Sequence, residues 1–433
     1  MASKSKISFA PGVYIDLKAL SENVRALKET VAPAKLCCVV KADAYGHGMV
    51  EVSTTAERSG ASCLAVATVN EGVVLRESGV KLPILLLSET GLDELEEAVS
   101  WGLTLTIVKA DTFKVLLRRI QNLNDKLKAN PTGFGSKISS CFGYKAKFPI
   151  KPIFSKQGKK VPVHLKFETG MSRLGGTQEE LLKIISLKQD LIEVESIWTH
   201  MATADIKGHI NNKTQIDRFN SFVQFLKDDY SLSFKTHMAN TAAALTMPET
   251  RLDLVRAGLG IYGYYPAEWI SKLSNIKKVG PILKPVKSVK VAIENLTAVK
   301  AGQGVSYGHN FVAKNDTTVA TVQIGYADGL FRSLSNAGGK VLICGQRCNI
   351  VGNITMNHTM IDVGHLMKKF KLERGEEVVI LGSQETESTS LTSAKTRINQ
   401  IDADFIADKA NTISYEVLTN LGHTCTKIFN KAT

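Results

Sequence analysis

The chain has 433 residues, 44% hydrophobic and 22% charged, which excludes wholesale disorder and leaves room for one large domain and a smaller one, each with its own core. Its longest apolar runs, Leu36–Val40 and Pro83–Leu87, fall far short of the roughly 18–20 residues that cross a bilayer, and no apolar stretch follows Lys4 and Lys6, so neither a membrane span nor a secretory signal is expected. The net charge of +13 invites a nucleic-acid reading, but eleven Lys/Arg against the single acid Asp125 lie between Arg118 and Lys160, while the remainder is nearly balanced at 43 against 40, so nucleic acid is not an expected partner.

In chain order, the apolar stripe Leu20, Val24, Leu27 and Val31 predicts a helix over Leu17–Val31. Candidate strands follow at Leu36–Val40, Cys63–Thr68, Pro83–Leu87, Leu103–Val108, Val161–Phe167, Leu191–Thr199, Phe234–His237 and Leu252–Arg256. Between most of them lie helical patterns: Leu92–Val99, Thr112–Leu123, Glu179–Leu187 and Gln215–Asp228. Eight strands alternating with helices over about 250 residues predict an α/β fold, a (β/α)8 barrel over residues 11–280; a doubly wound sheet alternates as well, and the count alone leaves both open. Asn124–Lys160 breaks the rhythm with Asn-Pro, Thr-Gly and Lys-Gln-Gly-Lys-Lys, and reads as a basic inserted loop, with a patch for an anionic partner as the alternative.

After Pro281 the pattern changes to β-branched runs separated by Gly and Asn: Val286–Ile293, Thr317–Ile324, Lys340–Ile343, Ile350–Val363 and Glu377–Leu381. These predict a mainly-β C-terminal domain over residues 281–433, joined by residues 1–10 and closed by helices at Thr396–Lys409 and Ile413–Leu421. Seven cysteines, with no Cys-x-x-Cys pair and no His pair beside Cys344 and Cys348, suggest reduced thiols in a cytoplasmic protein and no metal site.

Active sites of (β/α)8 barrels lie at the C-terminal ends of the strands. The first strand ends at Lys41, where partial burial favours the neutral, nucleophilic amine and suits Schiff-base chemistry; a lysine that merely snorkels at a strand end is the plain alternative. Later strand ends carry Lys166 with Arg173 on the next turn, His200, Asn240 with Thr241, and Arg256 followed by Gly258. Each alone has an ordinary explanation as a cap, an ion pair or a satisfied core histidine. The loops after the seventh and eighth strands, with Asn240, Thr241, Gly258 and Leu259, suit a phosphate dianion. Gly258-Leu259-Gly260-Ile261-Tyr262-Gly263 matches G-x-G-x-x-G, but Pro266 follows quickly and Lys277–Lys284 holds no acid, which argues against a dinucleotide. In the β domain, Tyr307, Tyr326 and Met356-Asn357 sit among small residues in turn-like segments.

Taken in order, these segments resemble the alanine racemases, fold-type III pyridoxal-phosphate enzymes. The likeness covers nearly the whole chain except the basic insert. It is carried by Val39-Val40-Lys41-Ala42-Asp43-Ala44-Tyr45-Gly46-His47-Gly48, Leu165-Lys166-Phe167-Glu168-Thr169-Gly170-Met171-Ser172-Arg173, and Thr199-His200-Met201-Ala202-Thr203-Ala204-Asp205. Four further segments continue it: Val255-Arg256-Ala257-Gly258, Val305-Ser306-Tyr307-Gly308, Ile324-Gly325-Tyr326-Ala327-Asp328-Gly329, and Ile413-Ser414-Tyr415-Glu416-Val417. The resemblance implies an isomerase that interconverts L- and D-alanine with pyridoxal 5'-phosphate, as a homodimer with shared active sites, for cell-wall peptidoglycan. It implies that Lys41 holds the cofactor and faces the α-proton of the D-enantiomer, and that Tyr307 of the partner subunit faces that of the L-enantiomer. Arg256 is implied at the pyridine nitrogen, with His200 between it and Tyr307. Tyr45, Asn240, Thr241, Gly258, Leu259 and Tyr415 are implied at the phosphate, and Arg173 and the Met356 backbone at the substrate carboxylate. Lys166 matches a lysine carbamylated in many members, Tyr326 and Arg332 would line the entrance, and Asp205 is a supporting residue. The Met356-Asn357-His358 stretch departs from the Met-Asp of many alanine racemases, and leaves a broader serine or lysine racemase as the alternative.

Overall fold

A computed structural model describes residues 9–129, 160–187, 190–273, 280–335, 337–386 and 398–430. The chain forms two compact units, one comprising Met1–Ala19, Tyr45–Gly48 and Pro285–Thr433, the other Leu20–Ala44 and Met49–Lys284. The strands in chain order are β1 (Gly12–Asp16), β2 (Lys35–Val39), β3 (Cys63–Val66), β4 (Ile84–Glu89), β5 (Thr104–Ile107), β6 (Val161–Lys166), β7 (Ile192–Trp198), β8 (Lys235–His237) and β9 (Leu254–Ala257). They continue with β10 (Lys287–Val299), β11 (Gly304–Val305), β12 (Phe311–Val312), β13 (Thr317–Val322), β14 (Lys340–Ile343), β15 (Gln346–Ile350), β16 (Thr359–Asp362), β17 (Glu377–Glu385), β18 (Ile398–Ile401) and β19 (Thr426–Asn430).

In the second unit, β2 to β9 form an all-parallel sheet in the order β8-β7-β6-β5-β4-β3-β2-β9. Its two ends meet: the amide of Asp253 donates to Thr236 O (3.1 Å) and that of Arg256 to Ala239 O (3.0 Å). The ring is thus a (β/α)8 near-barrel, and the doubly wound alternative falls away. Parallel strands covered on both faces tend to read as apolar runs, as in β2 and β4, and all eight lie within about two residues of their expected positions, although β8 is the polar Lys235-Thr236-His237. The Leu17–Val31 helix buries Leu20, Val24, Leu27 and Val31, as its stripe predicts. Two further helices, Met49–Arg58 and Val69–Glu77, complete the alternation. The second starts with a signature visible in the sequence, Thr68-x-x-Glu71, whose side chains cap each other's backbone amides. The helix expected at Thr112–Leu123 extends over Ala110–Ala129 and so takes up the start of the expected insert. The rest of that insert, residues 130–159, lies outside the described residues.

The first unit is built on antiparallel pairs. Strands β10, β13, β16, β15, β14 and β17 pair in succession, and β17 pairs back onto β10, closing a six-strand ring. The length of β10 makes this possible: Val289–Ala292 pair with β17, while Ile293–Val299 pair with β13, across register shifts at Val289/Lys290 and Ile293/Asn295. Strand β1 adds to β10 and β19 adds to β1 in parallel. Residues 11–19, expected with the barrel, therefore belong to the β unit. Two expectations are corrected here. Ile350–Val363 is not one strand: Val351 and Ile354 are buried in a turn between β15 and β16, so their apolar character mimicked a continuous run. The helix expected over Thr396–Lys409 begins only at Ala403, because Ile398–Ile401 pairs with β17 instead. Among the described residues no helix is long and apolar enough to cross a membrane.

Candidate active site

The barrel unit gathers its polar strand ends. After β2 the chain enters a left-handed turn: Ala42, Asp43, Ala44 and Tyr45 have φ of 53°, 51°, 55° and 53°, and Gly46 has 74°. Each such non-glycine residue costs roughly 1–2 kcal/mol, so the turn needs external support. Glu71 Oε1 accepts from the Ala42 amide (2.6 Å), and Asp43 Oδ1 accepts from the Met49 amide (2.8 Å). Lys41, at the start of this turn, has its ammonium pKa lowered by burial and then by Arg173, with Glu71 opposing.

Lys166 ends β6. It is buried, its Nζ lies 4.5 Å from the Trp198 ring centroid, and burial, Arg256 and Arg173 lower its pKa to about 8. Arg173, on the exposed loop beyond, shares that loop with Glu168, whose Oε1 accepts from the Gly170 and Met171 amides at 2.7 Å each. Arg256, in β9, is 2% exposed, with its guanidinium over Trp198 at 4.5 Å. One nitrogen donates to Thr199 O (2.8 Å) and Met238 O (3.0 Å) and lies 3.3 Å from His200 Nδ1; the other donates to His237 Nδ1 at 2.5 Å. Burial lowers its pKa to about 10, so it stays cationic at neutral pH.

Donor logic fixes the imidazoles. Arginine only donates, so Nδ1 of both His200 and His237 accepts, and in the neutral ring Nε2 carries the proton. Burial first, then Arg256, holds both rings well below the ordinary histidine range. His237 Nε2–H then donates to His164 Nδ1 (3.0 Å), and His164 Nε2 faces Glu195 (3.5 Å), which in turn pairs with Lys235 (2.8 Å). A polarised row thus runs from Arg256 to a carboxylate. Gln215, fully buried in the Ile210–Tyr230 helix, donates to Thr169 Oγ1 and His200 O (2.9 Å each) and accepts from the Ala202 amide, tying the loops after β6 and β7 together.

The sequence reading missed Trp198, His164, His237, Glu195 and Gln215. Alternation along β6 and β8 marks His164 and His237 as inward-facing, the one signal that could have found them.

At the loops after β8 and β9, Asn240 caps the Thr241–Thr246 helix by accepting from the Ala243 amide (3.0 Å). Thr241 Oγ1 accepts from the amides of Gly258 (3.1 Å) and Gly260 (3.5 Å). The Gly258 amide is therefore engaged in placing Thr241, while Leu259 opens the short turn Leu259–Tyr262, whose first amides have no partner within the turn. Gly258–Gly263 opens no α-helix, which removes the dinucleotide reading. Asp205 is exposed, and its carbonyl accepts from Trp269 Nε1 (2.7 Å); nothing here draws its carboxylate to the cluster.

The β unit holds the remaining candidates. The rings of Tyr45 and Tyr415 lie 6.1 Å apart, tilted by 42°, and burial raises the Tyr45 phenol to about 12. Tyr307 is 77% exposed, on a loop held by Asn353: Nδ2 donates to Tyr307 O (2.7 Å), and Asn353 O accepts from Ser306 Oγ (2.7 Å). Beside it is a cleft of about 540 Å³ lined by Ser306, Tyr307, Gly308, His309, Thr355 and His358. Tyr326 and Met356 share one corner, because the Tyr326 amide donates to Thr355 O (3.1 Å) and the Ala327 amide to Met356 O (3.0 Å). Gly325 allows this approach: a Cβ there would stand 2.2 Å from Thr355 O. Arg332 is exposed on the turn Arg332–Ser335.

The alanine racemase N-terminal domain model matches residues 15–266, and the C-terminal domain model residues 286–429. The chain is 39% identical to the alanine racemase of Nostoc sp. over 95% of this chain and 93% of that one, and 34% identical to alanine racemase 2 of Bacillus subtilis over 94% and 92%. Among solved structures, the alanine racemase of D-cycloserine-producing Streptomyces lavendulae superposes with a TM-score of 0.79 at 27% identity, covering 98% of each chain. The Bartonella henselae alanine racemase, described with covalently bound pyridoxal phosphate, gives 0.76 at 26% identity over 97% and 99%. A parallel barrel and an antiparallel β domain, each matched along its length, place this enzyme among the isomerases: the chain belongs to the alanine racemase family.

Proposed function

We propose that this chain interconverts L- and D-alanine with pyridoxal 5'-phosphate, as a cytoplasmic homodimer that supplies D-alanine for peptidoglycan. The observation that carries the reading is the cationic cluster at the strand ends: beside burial, Arg173 lowers the pKa of Lys41, and Arg256 with Arg173 lowers those of Lys166 and His200. Such a concentration of positive charge at a barrel mouth calls for anions, and a phosphate plus an amino-acid carboxylate answer it.

The donor set fits that cofactor. Lys41, its neutral amine favoured by burial, would hold it covalently. Thr241, Leu259, Asn240, Tyr45 and Tyr415 would take the phosphate, with Gly258 acting through Thr241. Arg256, cationic and rigidly held, would donate to the ring nitrogen. When bound, pyridoxal phosphate would delocalise the electron pair left at the substrate's α-carbon. Racemisation then requires one base on each face, since a single base returns the proton to the side it left. Lys41 Nζ serves one face and the phenolic oxygen of Tyr307, contributed by a second copy, the other. Neutral His200 would offer Nε2–H to that phenolic oxygen, with the positive charge of Arg256 behind it. Arg173 and the Met356 amide would receive the carboxylate, Lys166, matching a lysine carbamylated in many members, would orient Arg173 when so modified, and Tyr326 and Arg332 would flank the entrance.

The test is an absorbance scan with and without borohydride, then assays of the purified protein on each L-amino acid. Conversion of alanine well ahead of serine and lysine supports the reading. Equal turnover of lysine and alanine replaces it with the broader racemase, which the exposed Asn357 beside Met356 favours. A bound cofactor without any racemisation overturns both.

A further inference from the structure

The β unit buries a lysine that none of the roles above uses. Lys287, the first residue of β10, is 2% exposed. Its Nζ donates to Leu418 O (2.8 Å) and to Gly46 O (3.3 Å). These two carbonyls belong to the two segments that carry the paired tyrosines: Gly46 directly follows Tyr45, and Leu418 lies in the last turn of the Ser414–Asn420 helix that bears Tyr415.

Each acceptor has a reason to need a donor. At a helix C-terminus the last carbonyls lose their partners. The Gly422 amide, which would reach Leu418 O if the helix continued, donates instead to Asp328 O (2.7 Å). A cation there also meets the negative end of the helix dipole. Gly46 closes a left-handed turn of four non-glycine residues, which unwinds unless held. The two segments touch so closely that a Cβ on Gly46 would stand 2.7 Å from Leu418 O and 2.9 Å from Thr419 O. One ammonium thus bridges two backbones whose separation sets the distance between the Tyr45 and Tyr415 rings.

We propose that Lys287 is a positioning residue for phosphate capture: it locks the Tyr45 turn to the Tyr415 helix so that both hydroxyls address one phosphate. This rests on the pyridoxal-phosphate reading above. It predicts an effect centred on the phosphate, because the two carbonyls that Lys287 holds belong to the segments bearing the two tyrosines.

The experiment compares the parental holoenzyme with Lys287→Met, which keeps the stem and removes the donor. Each is stripped of cofactor and retitrated with pyridoxal phosphate and, separately, with pyridoxal. Lys287→Met is expected to weaken pyridoxal phosphate at least tenfold and pyridoxal by less than twofold, with kcat at saturating cofactor near the parental value. Amide exchange is expected to quicken at residues 45–48 and 415–421. Equal losses for both probes, or no loss for either, overturn the proposal. Should Lys287→Met fail to fold, Lys287→Gln, whose shorter side chain gives up the bridge between the two carbonyls while leaving a polar group in the site, takes its place with the same two probes and the same criterion. A parental protein that binds no pyridoxal phosphate refutes the functional reading instead, so the two failures are told apart.

Discussion

At the scale of single residues, the two proposed bases, Lys41 and Tyr307, differ in how much of their setting was legible. At the end of a buried apolar strand, Lys41 reads either as a desolvated amine or as a snorkelling strand-end lysine, and its pKa, lowered chiefly by burial, agrees with the first. Tyr307 is an exposed loop aromatic by every local criterion, and only its place in an ordered series of motifs singled it out. His200 required the structure. Its place in the motif says nothing of its charge, but Arg256 must donate to Nδ1, so the ring is neutral and the charge belongs to the arginine. One base per face has a measurable consequence. In Tyr307→Ala, exchange of the α-proton of L-alanine with deuterated solvent should fall by about 10²–10⁴-fold, the usual worth of a positioned acid–base group. The D-enantiomer, served by Lys41, should continue to exchange. Proton NMR of each enantiomer reads this directly, and an equal loss for both would rule out the division of labour.

Elements were legible where burial is uniform and illegible where one residue's contacts decide. Although Lys235–His237 is polar throughout, most of the barrel strands follow from apolar runs. The left-handed turn after Lys41 does not, because Ala42-Asp43-Ala44-Tyr45 is ordinary right-handed sequence, and its conformation follows from Glu71, Asp43 and the approach to Leu418. Two glycines separate backbone strain from packing. Gly79 has φ of 88°, and a methyl group added there would meet nothing within 4 Å, whereas Gly46 has φ of 74° and a backbone oxygen 2.7 Å from where its methyl would stand. Gly79→Ala should cost about 1–2 kcal/mol, the left-handed penalty alone. Gly46→Ala should cost more than that and should also release cofactor, as urea denaturation and retitration would reveal. Similar costs with unchanged cofactor affinity would mean that the 45–48 segment does not govern phosphate binding.

The row Arg256–His237–His164–Glu195 is likewise an element in which each partner fixes the next. His164, His200 and His237 all have pKa values below their ordinary range, chiefly through burial. The unfolded chain therefore binds more protons than the native one as pH drops below about 6.5, and stability falls in that direction. Each of the three contributes a slope of up to about 1.4 kcal/mol per pH unit until its native value is reached. Glu195 is held at about 2, first by its bond to His164, and extends the decline from about pH 4.5 downward. Urea midpoints should thus drop steeply between pH 6.5 and 5, and His164→Gln should flatten that slope. An unaltered slope in the variant would show that the acid sensitivity arises elsewhere.

At the scale of the whole molecule, the candidate residues fall into two sets divided between the two units, and the proposed homodimer assigns Tyr307 to the partner's site. Lys41, Lys166, His200 and Arg256 belong to the barrel unit, whereas Tyr307 stands on a loop of the β unit with 77% of its surface exposed. Asn353 fixes the Tyr307 backbone, and the exposed ring is available to a partner surface. A twofold homodimer in which each β unit lends its tyrosine to the other barrel satisfies both sets at once, because an isologous interface repeats every contact. Neither Lys41→Ala nor Tyr307→Ala homodimers should then racemise alanine. Dissociating and reassociating equal amounts of the two gives heterodimers as about half of all dimers, each with one doubly mutated site and one intact site, so about a quarter of the parental activity should return. If each tyrosine instead served its own barrel, every heterodimer would hold one site lacking Lys41 and one lacking Tyr307, and mixing would restore nothing. The amount of activity recovered, rather than the mere fact of dimerisation, decides whether the site is shared.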